Sequence, residues 1–131
     1  EKDSTVRGRP SQLSQVLMNL LTNSYDAVYG QESPWIRIDM QRAAEKAVLS
    51  VVDSGPGIPK EIYSKIMQPF FTTKEVGKGT GLGLSISKGI AEEHHGQLYY
   101  DEANPHTRFV LELPVFDSTP TNSLHGSEGR N

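Results

Sequence analysis

The sequence of 131 residues contains no cysteine, which excludes a disulfide scaffold and a thiolate metal site and fits a reducing compartment. No stretch approaches the ~20 apolar residues of a membrane span, and no signal peptide opens the chain. A soluble fragment without membrane contact is therefore expected. Positive charge is not in excess: 13 basic against 16 acidic residues leave a net charge of −3, which gives no general electrostatic reason to bind nucleic acid or an anionic membrane. Any anion must be held by a local site. Internal repeats are absent. With 35% hydrophobic residues the chain can bury one core but not two. One domain over residues 1–114 is expected. Beyond Pro114 only Val115, Phe116 and Leu124 are large and apolar, too few to offset ordering entropy, so 115–131 are expected to be a disordered tail or linker.

Along the chain, Leu13, Val16, Leu17, Leu20, Leu21, Ala27 and Val28 recur at helical steps, which predicts a helix over Ser11–Val28 with Ser11 as N-cap. Trp35–Met40 and Ala47–Val52 read as an antiparallel hairpin turned by Gln41–Lys46. The glycines and prolines of Asp53–Pro59 mark a tight loop at the end of the second strand. A short helix is expected from Lys60 to about Met67, and then a long irregular segment from Pro69 to Thr80. Gly81–His94 recovers helical spacing, with Gly96 placed to end the helix. Gln97–Tyr100 and Arg108–Leu113 read as a final hairpin.

Three constellations could carry chemistry. On the first helix Asn19, Asn23 and Asp26 fall within about 60° of arc at ~100° per residue. Such a face is most simply a solvated surface, but its amide oxygens could also serve a magnesium ion, a hard cation that takes oxygen ligands beside phosphate. The loop Asp53-Ser54-Gly55-Pro56-Gly57-Ile58 sets a carboxylate at a strand end before glycines that admit a ligand close to the backbone. That carboxylate could accept from an exocyclic amine or simply satisfy its own turn. The third is Gly77-Lys78-Gly79-Thr80-Gly81-Leu82-Gly83, where amides at a helix start suit phosphates, although neither GxxxxGK[ST] nor GxGxxG is present. A glycine hinge would look similar. Lys74, Lys78 and Lys88 could pair with phosphate oxygens or remain solvated. His94 and His95 read as a polar helix end without a metal site.

Taken in order, these elements resemble the catalytic ATP-binding domain of sensor histidine kinases, within the GHKL superfamily that includes gyrase. LSQVLMNLLTNSYDAV resembles the N box, VVDSGPGIP the G1 box, PFFTTK the F box, and GKGTGLGLSISKGIAEEHHGQL the G2 box with its helix. RFVLELP resembles the last strand, so the likeness runs from Gly8 to Pro114, and four ordered motifs are far more specific than one. The resemblance implies ATP with magnesium. It makes Asn23 the metal ligand and, with Asn19, part of the catalytic centre, where Asn19 would support the metal or contact phosphate. Asp53 would bind the adenine amine, with Gly55, Gly57 and Ile58 around the ring. Phe70 and Phe71 would anchor a lid that includes Thr73, Lys74 and Lys78, while Gly79, Thr80, Gly81, Leu82 and Gly83 would meet the phosphates. Relatives that hydrolyse ATP tend to carry a glutamate where Asn19 stands, so its amide favours transfer of the phosphoryl group to another acceptor over attack by water.

The implied fold is an α/β (α+β) two-layer sandwich of the Bergerat type, a mixed and mainly antiparallel sheet with helices on one face. The implied function is transfer of the γ-phosphoryl of Mg-ATP to a histidine on a separate dimerisation domain, from which a response regulator receiver domain takes it. The full-length protein is expected to be a homodimer, cytoplasmic or anchored in the inner membrane. This chain is expected to lack the upstream strands, the dimerisation helices and the phosphoacceptor histidine. Asp26 departs from the Lys or Arg of many relatives. Alternatives are a related kinase that phosphorylates serine on a regulatory protein, and a nucleotide-binding interaction module without turnover.

Overall fold

A computed structural model describes residues 5–69 and 83–116. Two helices, α1 (Pro10–Val28) and α2 (Gly83–Glu93), lie against four strands, β1 (Ile36–Ala43), β2 (Lys46–Asp53), β3 (Gln97–Tyr100) and β4 (Thr107–Pro114). The sheet order is β1-β2-β4-β3, and every pairing among the described residues is antiparallel. Pairing of β2 with β4 joins the two hairpins and fixes the site, because its register places Asp53 opposite Thr107.

Alternation along the strands separates two faces. Val51, Leu98, Phe109, Leu111 and Leu113 face the helices and form the core with Val16 and Leu20 of α1 and Ile90 and Ala91 of α2. Val16 and Leu20 are essentially fully buried, and burial of such a side chain contributes roughly 1.5–3 kcal/mol. The periodic stripe on α1 is therefore what holds it on the sheet. On the opposite face long polar side chains converge on Glu112, whose carboxylate accepts from Gln97 Nε2 (3.0 Å), Tyr99 Oη (2.9 Å) and Lys46 Nζ (3.3 Å).

Several boundaries differ from those expected. Pro10 takes the first helical position, so Arg9 and not Ser11 is the N-cap. The Arg9 N–H is satisfied from far along the chain by His94 Nε2 at 3.1 Å. Because His94 Nδ1 lies 2.8 Å from the Ile90 carbonyl, which can only accept, the ring proton sits on Nδ1 and Nε2 is the acceptor. His94 is buried and ties the two helices together instead of forming a solvated helix end. The first hairpin turns only at Ala44 and Glu45; the polar Gln41–Ala43 extends the strand, since the open edge of β1 leaves polar side chains in water. Residues 60–68 form a run of three-residue turns around a 3-10 segment, Lys60–Ile62, in place of a regular helix.

The end of α2 also differs in its cause. His95 N–H bonds to the Glu92 carbonyl (3.0 Å) and Gly96 N–H to that of Ala91 (2.8 Å), the paired bonds of a Schellman motif. The residue in the left-handed region is His95, φ 66°. Gly96 is required for a different reason: a Cβ there would lie 1.9 Å from the Glu112 carbonyl oxygen of β4.

Candidate functional site

The helix α1 runs across the site like a ruler. Asn19 contacts the first residue of α2, donating from Nδ2 to the Gly83 carbonyl (3.2 Å) and to Ser87 Oγ (2.9 Å). Two turns later, Ala27 meets the loop after β2, where a Cβ on Gly55 would come within 3.4 Å of the Ala27 Cβ. Asn23 lies between them on the same helical line and is partly buried. At 1.5 Å per residue, Asn19 and Ala27 are about 12 Å apart along the axis. The asparagine face is thus turned toward α2 and the loop, and is not a solvated surface.

At the loop end, Asp53 closes β2 on the helix-facing side with 1% of its surface exposed. Its Oδ1 accepts the Gly55 N–H at 2.7 Å. A side chain at Gly55 would place its Cβ 2.6 Å from that oxygen and 3.2 Å from Thr107 Oγ1, so only glycine lets the backbone come this close to the carboxylate. Gly57, at φ 89°, donates its N–H to Thr107 Oγ1 (2.9 Å). The Ile58 N–H goes to Tyr100 Oη (3.0 Å), while its side chain packs on the core. Ser54 anchors the other flank: Oγ donates to Gln31 Oε1 (2.7 Å) and accepts the Trp35 N–H (3.0 Å). The loop is therefore held from the segment before β1, from β3 and from β4, with a buried carboxylate at its base. That arrangement fits a flat heterocycle carrying an amine.

Asn19, Asn23, Asp53, Gly55, Gly57, Ile58 and Gly83 thus come to one side of the molecule, between α1, the loop and the start of α2. Phe70, Phe71, Thr73, Lys74, Lys78, Gly79, Thr80, Gly81 and Leu82 lie outside the described residues. Lys88 pairs with Glu92 one turn on, as a surface ion pair. Asp26 is exposed. Among the described residues no three or more His, Asp or Glu gather at ligand spacing. A cation here would be met by amide oxygens and by oxygens of its own ligand, a donor set suited to magnesium. No helix of the described residues is long and apolar enough to cross a membrane.

Sequence reasoning missed Thr107, Tyr100 and Ser87, each of which holds a predicted site residue in place. Thr107 and Tyr100 gave no local signal, since their role depends on strand register. Ser87 carried one: a hydroxyl among the apolar positions of an amphipathic helix needs a partner when buried.

The sequence pattern of the histidine kinase-, DNA gyrase B- and HSP90-like ATPases matches residues 8–117. The chain is 40% identical to the two-component sensor PprA of Pseudomonas aeruginosa, over 84% of this chain and 12% of that protein. It is 39% identical to sporulation kinase C of Bacillus subtilis, over 84% of this chain and 25% of that protein. The chain thus spans a quarter or less of the length of these relatives. Among solved structures it is similar to the nucleotide-free catalytic domain of histidine kinase ThkA, with a TM-score of 0.72 and 39% identity over 83% of this chain and 71% of that one. The mycobacterial sensor histidine kinase MprB is similar at a TM-score of 0.75 and 28% identity, over 84% of this chain and 76% of that one.

Proposed function

The chain belongs to the histidine kinase-, DNA gyrase B- and HSP90-like ATPase family, whose domain binds ATP, and from that premise we propose that it is the catalytic part of a two-component sensor histidine kinase. The observation that carries this is the spacing along α1. Asn19, beside the start of α2, and Ala27, against the glycine loop with its buried carboxylate, stand about 12 Å apart by helical rise. An adenine at the loop and phosphates near the start of α2 span such a distance.

In this reading Asp53 accepts a hydrogen bond from the adenine amine. Gly55 and Gly57 leave room for the ring, and Ile58 packs against it. Asn23 offers its Oδ1 to a magnesium ion, which when bound neutralises phosphate charge, and Asn19 one turn earlier supports the metal or contacts phosphate. The backbone around Gly79, Gly81 and Gly83, with Thr80 and Leu82, meets the phosphates, and Phe70, Thr73, Lys74 and Lys78 belong to the covering segment. The γ-phosphoryl passes to an imidazole nitrogen of a histidine on a dimerisation domain, the bond to the β-phosphate oxygen breaks, and ADP leaves. Asn19 supplies no carboxylate to activate water, which favours that acceptor. The full protein acts as a homodimer and hands the phosphoryl group to a receiver domain of a response regulator.

Calorimetric titration with ADP, with and without magnesium, tests this on the wild type, Asp53→Asn and Asn23→Ala. Asp53→Asn is expected to weaken binding by about 1.5–3 kcal/mol, the scale of a hydrogen bond to a charged group. Asn23→Ala is expected to abolish the effect of magnesium. Equal binding by all three proteins would refute the assignment.

A further inference from the structure

Both donor contacts of the Asn19 amide are made to a single helix. Nδ2 donates to the Gly83 carbonyl at 3.2 Å and to Ser87 Oγ at 2.9 Å. A backbone carbonyl only accepts, so the atom facing α2 must be the nitrogen, and the orientation of the amide is fixed without reference to any ligand. Oδ1 is the end that is left. Ser87 lies one turn into α2 and is 0% exposed. A hydroxyl there forgoes the packing of an aliphatic side chain and lowers helix propensity, and it is tolerated only with a polar partner. Asn19, reaching across from α1, is that partner.

We propose that Ser87 is a positioning residue for the metal end of the site: together with the Gly83 carbonyl it takes both amide hydrogens of Asn19, and so presents Oδ1 as an oxygen ligand to the divalent cation that accompanies the triphosphate. The inference rests on the nucleotide-binding assignment above. It decides between two roles for Asn19, because an amide with both hydrogens committed to α2 cannot donate to a phosphate oxygen. A hard cation takes the carbonyl oxygen that remains. It also couples two parts of the site mechanically. Asn23 follows Asn19 by one turn of the same helix, so the oxygens of α1 and the first turn of α2 keep their relative positions only while this clamp is closed.

The test uses the full chain, labelled with 15N, as wild type, Ser87→Ala and Ser87→Thr. In the wild type the two side-chain amide hydrogens of Asn19 are expected to give separate resonances protected from solvent exchange; in Ser87→Ala the protection is lost. By calorimetry, the gain in ADP affinity conferred by magnesium is expected to fall about 3- to 10-fold in Ser87→Ala, the worth of one neutral hydrogen bond. Affinity without magnesium stays the same, and Ser87→Thr, which keeps the hydroxyl, restores the gain. A full magnesium gain in Ser87→Ala overturns the proposal, as does a loss that is equal with and without the metal, which marks a merely structural serine. Unprotected Asn19 amide hydrogens in the wild type overturn it even when no variant folds. A wild type that binds ADP without any response to magnesium removes the metal assignment itself, and this proposal with it.

Discussion

Substitutions at two adjacent positions after α2 are expected to change stability in opposite directions. His95 sits at φ 66°, a region that costs an L-residue about 1–2 kcal/mol, while its exposed side chain makes no contact that offsets this cost in the described structure. Glycine removes that cost but loses about 0.5–1 kcal/mol more conformational freedom on folding. The net expectation for His95→Gly is a stabilisation of about 0.5–1 kcal/mol, which for a domain of this size raises the melting temperature by roughly 2–5 °C. At Gly96 the balance reverses. An alanine Cβ would stand 1.9 Å from the Glu112 carbonyl oxygen and 3.0 Å from Leu113 Cδ2. Both belong to β4, which is paired on each side by β2 and β3 and cannot withdraw. Gly96→Ala should therefore cost about 3 kcal/mol or more, a large share of the 5–15 kcal/mol that holds a domain together. Urea denaturation followed by far-UV circular dichroism and by the single tryptophan, Trp35, which meets His106 edge-on, would read both changes. A destabilised His95→Gly together with a neutral Gly96→Ala would refute both the left-handed conformation of His95 and the close approach of Gly96 to β4.

Two further outcomes follow from contacts on β4. Thr107→Val keeps the shape but removes the acceptor of the Gly57 N–H, so a loss of about 1 kcal/mol in stability and a several-fold weaker affinity for ADP are expected; Thr107→Ser should recover both, and an unchanged affinity would show that the loop does not need this anchor. Hydrogen bonding from Gln97, reinforced by Tyr99 and Lys46 against the opposing effect of burial, holds the Glu112 carboxyl below its ordinary value. A depressed pKa means stability that is present above the unfolded value of about 4.3 and is lost as pH falls through the folded one. Denaturation curves of Glu112→Gln should accordingly show a weaker pH dependence than wild type below pH ~4.5, and parallel curves would remove Glu112 from the acid response.

Much of the fold could be read before any coordinates. The 3.6-residue period of Leu13, Val16, Leu17 and Leu20 is a local property and marked α1 and its buried stripe. The glycines and prolines of Asp53–Pro59 marked a loop because they restrict the backbone where they stand. Four ordered motifs were sufficient to indicate the family, since each carries residues that a local backbone geometry or a ligand would need. Boundaries were less legible. Pro10 displaced the expected cap, and the polar end of β1 continued as a strand because its open edge imposes no demand for apolar residues.

What the sequence determined by itself is therefore most of the elements, the family, and the residues proposed above to bear on the nucleotide: Asn19, Asn23, Asp53 and the glycines. The tertiary structure alone decided how those residues are held. Thr107 faces Asp53 only through the β2–β4 register, Asn19 meets a serine 68 positions away, and His94 binds the Arg9 N–H across 85 positions. Such contacts leave no periodicity and no local composition to read. They arise when packing of separate elements brings a donor to an acceptor, and at that level a polar helix face became an inward-facing part of the site.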